Sequence, residues 1–105
     1  MYYLYRHFDK DGVLLYVGIS ISVIVRLSSH AASSLWFDNI SKIEIEIEKF
    51  NTKKEALYFE KIAIAKENPL HNKYYSKINT PKSKSVTVKY YSRISKTDVI
   101  KQTYR

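Results

Sequence analysis

Two tyrosines, an arginine, a histidine and a glutamate are the residues of this chain whose types and spacing could support hydrolysis. Tyr5 and Tyr16 lie in neighbouring apolar runs, and Arg26 and His30 follow, four residues apart. Phosphodiester cleavage needs a base for the attacking water and a cation at the phosphate, and a carboxylate often holds a divalent metal. We therefore interpret these groups as the front half of a phosphodiester-cleaving site that Glu60 completes.

A β-hairpin is predicted to bring the two tyrosines together. Residues 2–8 and 13–17 have the composition of strands, and the Asp-Lys-Asp-Gly run at 9–12 is a turn signal. A loop over 9–12 would place Tyr5 opposite Tyr16, whereas a tight Asp-Gly turn would make them diagonal neighbours. Either register leaves the two rings close enough to share a site.

Residues 20–35 carry Arg26 and His30, and their pattern favours two structures. The β-branched residues at 21 and 23–25 favour a strand, whereas the apolar residues at 24, 27, 31 and 35 keep helical spacing. We predict a helix over about residues 22–34, with Arg26 and His30 one turn apart on one face. Trp36 and Phe37, which follow it, are predicted to be core residues.

Alternation of isoleucine and glutamate over residues 43–48 predicts a third strand with one buried and one solvated face. The glutamates of this row, at 44, 46 and 48, are interpreted as solvated rather than as metal ligands.

A capping-box pattern at residues 52–55 predicts a helix over about 53–67. Glu60 lies four residues from both Ala56 and Ile64, so it falls within the apolar side of that helix. A carboxylate at that place must be paired, protonated or bound to a cation, because burying it alone is costly. The pattern leaves two roles open, a metal ligand and a partner in a salt bridge at the edge of the core.

The charge of the chain is concentrated at one end. Residues 1–72 have no net charge, whereas residues 73–105 hold nine basic residues against one acidic residue and account for the whole net charge of +8. Tyrosines are interleaved with these basic residues, and such segments bind phosphate backbones and stack on bases. We predict a nucleic-acid-binding arm that uses Lys82, Lys84, Lys89 and Arg93, with a solubilising surface tail as the alternative.

The end of the chain has weaker signals. Residues 76–85 have the composition of a linker, residues 86–91 favour a strand, and residues 97–104 favour either a short helix or disorder.

Composition excludes several classes of site. The chain has no cysteine, which excludes disulfides and thiolate metal sites, and its three histidines are too few for a structural zinc site of the usual kind. Neither a membrane-spanning run nor a secretion signal is recognisable. We expect a cytoplasmic protein with no membrane partner.

With these residues in place, the chain resembles the GIY-YIG nuclease family over residues 2–72. The resemblance rests on six elements that occur in the family's order: Tyr3-Leu4-Tyr5 for Gly-Ile-Tyr, Tyr16-Val17-Gly18 for Tyr-Ile-Gly, Arg26 ten residues after Tyr16, His30, the segment Ala56-Leu57-x-x-Glu60, and Pro69-Leu70-His71-Asn72 for Pro-x-x-Asn. Each triplet is a weak signal alone, but the ordered set is strong.

The resemblance implies an α/β (α+β) module, a small, mainly antiparallel sheet flanked by helices, over residues 1–75. Residues 76–105 would form the basic C-terminal extension. The implied activity is that of an endonuclease that uses Mg²⁺ or Mn²⁺ and cleaves DNA by one-step attack of water. RNA as substrate and a homodimer as assembly are left open.

The resemblance also implies a role for each residue of the site. Tyr16 would be the base, Glu60 the metal ligand and Arg26 the cation for the phosphate. The remaining expectations are a hydrogen bond from Tyr5 to water or phosphate, relay of a proton or binding of the phosphate by His30, substrate contact or bracing from Asn72, and structural support from Gly18.

Two departures from the family pattern bear on these roles. Tyr3 replaces the first glycine of the signature, which should affect packing more than chemistry. Ile19 follows Gly18 where some members have a lysine or serine that aids the nucleophile, so that help must come from elsewhere, such as Ser20 or a lysine. The alternative functions are a nucleic-acid-binding module without catalysis and a protein-directed inhibitor on the same fold.

Overall fold

The structure is a computed structural model that describes residues 1–33, 36–72, 86–94 and 98–104. Its elements are, in chain order, β1 (Tyr3–Phe8), β2 (Leu14–Ser20), α1 (Val23–Ser33), a 3-10 turn (Phe37–Asn39), β3 (Lys42–Glu46), α2 (Lys53–Glu67), β4 (Val86–Tyr91) and β5 (Asp98–Tyr104).

The strands form one sheet in the order β2-β1-β3-β4-β5. Pairing is antiparallel except between β3 and β4, which are parallel and have α2 between them in the chain. The predicted fold class, a small, mainly antiparallel sheet flanked by helices, is confirmed.

The two helices pack on opposite faces of the sheet, because successive residues of a strand point to opposite sides. Tyr5 of β1 points into a cluster with Val23 and Leu27 of α1. Its neighbour Leu4 points into a second cluster with Ala56 and Ala63 of α2. Each face therefore has its own core.

The hairpin places the tyrosines diagonally. Tyr5 pairs with Gly18 and His7 pairs with Tyr16, which is the diagonal one of the two predicted registers, although the turn is closed between Asp9 and Val13 and is not a tight Asp-Gly turn. The register shifts beyond His7, where Leu15 is left as an extra residue in β2. Within the turn, the Asp9 carboxylate accepts hydrogen bonds from the backbone N–H groups of residues 11 and 13, each at 2.9 Å.

Both predicted helices are confirmed. α1 forms over the segment for which a strand was the alternative. The Thr52 hydroxyl accepts a hydrogen bond from the Glu55 backbone N–H at 3.2 Å and caps α2. Asn68 ends α2 in the left-handed region at φ 52°. Trp36 and Phe37 are buried, as predicted.

Two predictions, one about the end of the chain and one about β3, are wrong. The interpretation of residues 97–104 as a short helix or as disorder fails, because β5 pairs along β4 and satisfies its backbone groups. The glutamate row of β3 is not uniformly solvated either. Glu46 is 2% exposed because Arg6 and Arg93 each bind its carboxylate at 2.7 Å. The predicted linker over 76–85 lies outside the described residues.

No helix among the described residues is both long and apolar enough to cross a membrane.

Candidate active site

The first tyrosine of the site lies inside the core. Tyr5 is fully buried on β1, and its hydroxyl is 2.8 Å from Nε2 of His30, which is also buried. Burial raises the pKa of Tyr5, the Coulomb effect of Tyr16 adds to the rise, and the positive charge of Arg26 opposes it. Tyr5 therefore keeps its proton at neutral pH and is poorly suited to be a base.

His30 is neutral in this environment. Burial lowers its pKa to about 4, and the nearby charge of Arg26 acts in the same direction. The bond between Tyr5 and His30 thus joins two uncharged groups. A neutral imidazole can relay a proton, whereas an imidazolium at this depth would be costly.

Arg26 lies on α1 near both tyrosines. Burial acts to lower its pKa, but the influence of Tyr5 and Tyr16 outweighs burial and raises it. The guanidinium also donates a hydrogen bond to the hydroxyl of Ser29 at 3.2 Å. The site therefore has a permanent positive charge beside its two phenols.

Tyr16 is only partly buried, unlike Tyr5. Its ring lies 6.1 Å from that of Tyr5 between centroids and 4.9 Å from that of His30, the latter at an edge-on angle of 71°. Trp36 stacks on it with centroids 4.7 Å apart and planes at 22°. Tyr16 thus combines access to solvent with neighbours on several sides.

Gly18 has a steric reason to be glycine. A Cβ atom at this position would lie 2.6 Å from the hydroxyl oxygen of Tyr5 and 2.7 Å from Cε2 of Tyr16. A side chain at this position would force the two tyrosines apart. The second triplet of the resemblance is therefore explained by the close approach of its glycine to both rings.

Asn72 braces the outer edge of β2. Its side chain accepts a hydrogen bond from the Val17 backbone N–H at 2.8 Å and donates one to the Val17 carbonyl at 2.7 Å. Both ends of the amide are therefore engaged by the residue between Tyr16 and Gly18. This geometry gives Asn72 a structural position in the site.

Glu60 reaches the same edge of the sheet from α2. Burial raises the pKa of its half-buried carboxyl, and the backbone N–H of Ile19 partly offsets the rise. Its charge is also close enough to raise the pKa of Tyr5. No ion pair links Glu60 to another residue in the described ranges, so the salt-bridge alternative is not seen there.

The site offers a divalent ion one protein carboxylate, that of Glu60. The described residues contain no group of three or more acidic or histidine side chains that could hold a metal. Mg²⁺ nevertheless needs only one or two carboxylates when water and substrate phosphate supply its other ligands. Glu60, half-buried and without a cationic partner among the described residues, has the chemistry for that role.

Where the structure describes it, the predicted basic arm does not lie beside Tyr16, Arg26 and Glu60. Lys89 and Arg93 belong to β4 and its end, three strand positions from β2, or about 14 Å at the usual strand spacing. The Lys89 ammonium is 3.7 Å from the carboxylate of Glu44, and the Arg93 guanidinium lies over the ring of Phe50 at 4.7 Å. Lys82 and Lys84 lie outside the described residues.

Two residues that contact Tyr16 were not predicted from the sequence to be site residues. His7 is fully buried and lies across from Tyr16, and Trp36 was assigned only to the core. A period of two along β1 places His7 on the same face as Tyr5, which is the signal that could have identified it. No local pattern connects Trp36 with the hairpin.

Comparison with known proteins gives one match. A family model described as the GIY-YIG catalytic domain matches residues 1–75. No curated protein and no solved structure matches the chain.

Proposed function

The chain belongs to the GIY-YIG family, and from this premise we propose that it is a divalent-metal-dependent endonuclease that hydrolyses DNA. A nuclease-type function follows from the family. The finer proposal rests on one observation: the partly exposed Tyr16 shares an edge of the sheet with Arg26 and with the half-buried Glu60.

The environment of each residue determines its role in the proposed reaction. Tyr16 accepts the proton of the attacking water, because it is the accessible phenol and the adjacent Arg26 stabilises negative charge on it. Arg26 also binds the scissile phosphate through the planar fork of its guanidinium. Tyr5 and His30 are hydrogen-bonded to each other, and their rings support Tyr16 from the buried side.

Glu60 is the residue that would hold the metal. When bound, Mg²⁺ or Mn²⁺ would supply Lewis-acid stabilisation of the phosphate and of the leaving oxygen. Because one carboxylate is a weak site alone, we expect metal affinity to rise when nucleic acid is present.

Cleavage of plasmid DNA by the purified protein tests the proposal. We expect nicking with Mg²⁺ or Mn²⁺ and none in EDTA, and a loss of at least about 100-fold in Glu60→Gln and Tyr16→Phe, since a positioned general base alone contributes about 10²–10⁴-fold. Glu55→Gln and Tyr58→Phe are matched controls at exposed positions of the same protein, and should cut within about twofold of wild type.

Two results would contradict the proposal. Equal cutting by wild type and Glu60→Gln would remove Glu60 from the reaction. Binding to DNA in EDTA with no cleavage in any divalent ion would favour the alternative of a binding module without catalysis. The same assay with single-stranded DNA, branched DNA and RNA tests the assignment of DNA as substrate.

A further inference from the structure

The single tryptophan of the chain lies flat against the proposed base. The indole of Trp36 stacks on Tyr16 with centroids 4.7 Å apart, and it is 5% exposed. Tyr16 belongs to β2, which is the edge strand of the described sheet and has β1 as its neighbouring strand. Tyr5, His7 and His30 approach the Tyr16 ring at angles of 33° to 71°, whereas the indole covers its face at 22°, so the indole is a main restraint on the angle of the ring.

A buried histidine fixes the indole in turn. The Trp36 indole N–H donates a hydrogen bond to Nδ1 of His7 at 3.0 Å. An indole N–H can only donate, so Nδ1 must be unprotonated and the proton of the neutral ring sits on Nε2. His7 is the residue directly across from Tyr16 on β1, with ring centroids 5.5 Å apart.

The stack is also tied to the edge of β2. His71 lies nearly parallel to Trp36, with centroids 5.3 Å apart and planes at 14°. Its backbone N–H donates to the carbonyl of Leu15, the residue before Tyr16, at 2.7 Å. The indole is therefore held at its N–H group, and a second ring packs parallel to it.

We infer that Trp36 and His7 are positioning residues for the hydrolysis. His7 orients Trp36, and Trp36 holds the Tyr16 ring so that its hydroxyl faces Arg26 and the attacking water. Neither residue belongs to the six elements that relate this chain to its family. The inference rests on the proposed role of Tyr16 as the base.

Lost positioning should slow the chemical step and leave binding unchanged. We expect Trp36→Leu to lower kcat about 10- to 100-fold, as misplacement of a reacting group by about 1 Å does, with KM for DNA within about twofold of wild type. Trp36→Phe keeps an aromatic face and should recover most of the loss.

The histidine is tested by the acceptor it supplies. His7→Asn offers an oxygen near the place of Nδ1, and we expect kcat close to wild type. His7→Leu leaves the indole N–H without this acceptor and should lower kcat by about 10-fold or more, again without a change in KM.

A matched control separates positioning from stability. Val88→Ala removes methyl groups from the same core but on β4, three strand positions from the strand of Tyr16, and should lower the melting temperature without changing kcat. All assays are run well below the lowest melting temperature. In protein labelled with ¹³C-tyrosine, the ring signal that Tyr16→Phe removes should shift in Trp36→Leu and His7→Leu but hold its position in Val88→Ala.

The outcomes distinguish this inference from the proposed function. Full cleavage by Tyr16→Phe would remove the base assignment and the inference with it. An inactive Tyr16→Phe together with a wild-type kcat in Trp36→Leu and His7→Leu would overturn the inference alone. An equal loss of kcat in Val88→Ala, or a change confined to KM, would also overturn it.

Discussion

At the scale of single residues, burial gives the two tyrosines of the signature different chemistry. Tyr5 is fully enclosed and bound to His30, and its pKa is raised by that burial. Tyr16 is one diagonal step away on the neighbouring strand but keeps access to solvent. The same side chain can therefore be a fixed support at one position and the proposed base at the other.

The buried His30 makes stability depend on pH. Its pKa is about 4 in the folded protein, below the ordinary value of about 6.5, so the unfolded chain binds the proton more tightly. Stability should fall as the pH drops from about 6.5 and level off near pH 4, by about 3 kcal/mol in total from this group.

Urea unfolding of wild type and His30→Gln across this range measures the contribution of His30. The variant should be less stable at pH 7, because it loses the bond to Tyr5, but its stability should change less between pH 6.5 and pH 4. Parallel curves for the two proteins would show that His30 does not account for the slope.

At the scale of elements, residues of the proposed site converge on the edge strand β2. Asn72 bonds both backbone groups of Val17, and the backbone N–H of Ile19 meets the Glu60 carboxylate. Elements that are distant in sequence therefore converge on consecutive residues around Gly18. Motif residues that are far apart in the sequence are therefore neighbours in the fold.

On β3, the face turned away from the core around Tyr5 carries a buried cluster of charged side chains that should contribute to stability. Glu46 is held between Arg6 and Arg93, each at 2.7 Å, with its side chain 3% exposed. Glu46→Gln would leave both guanidinium groups without this partner and should lower the free energy of unfolding by about 3 kcal/mol.

Glu44→Gln is the matched control on the same strand. Glu44 pairs with Lys42 at 3.1 Å and Lys89 at 3.7 Å and is more exposed than Glu46. Its loss should cost at most about 1 kcal/mol, measured by the same urea unfolding curves. Equal losses for the two variants would mean that the Arg6–Glu46–Arg93 cluster is no stronger than a surface pair.

Local signals predicted the elements that local chemistry determines. The capping box set the start of α2, and the hairpin signal placed Tyr5 near Tyr16, whereas the place of Arg26 beside them was implied by the family resemblance. β5 and the burial of Glu46 were not predictable in this way, because they depend on partners far away in the sequence. The hydrogen bond between His7 and Trp36 was not predictable for the same reason, since the two residues lie 29 positions apart in the sequence.

At the scale of the whole molecule, the sheet continues past the part that the family model matches. β4 and β5 lie beyond residue 75, yet Val86 and Val88 of β4 lie in the same core as Tyr5. The later strands thus extend this core beyond the matched residues.

Charge is the property that best separates the two ends of the chain, and the structure refines which basic residues are available for nucleic acid. Lys89 and Arg93 already face glutamates of the sheet. Lys82 and Lys84, outside the described residues, are therefore the stronger candidates for phosphate contacts. Each such contact adds about 0.9 to the slope of log affinity against log salt.

Binding to duplex DNA in EDTA, measured by fluorescence anisotropy over a range of salt concentrations, tests this assignment without cleavage. The double variant Lys82→Gln/Lys84→Gln should lower the salt slope by about 1 to 2, as loss of one or two phosphate contacts does. Lys89→Gln is the control and should leave the slope unchanged, because its ammonium already lies beside Glu44. An unchanged slope in the double variant would favour the alternative of a solubilising tail, whereas an equal drop in the control would show that Lys89 also contacts phosphate and would contradict the preference for Lys82 and Lys84.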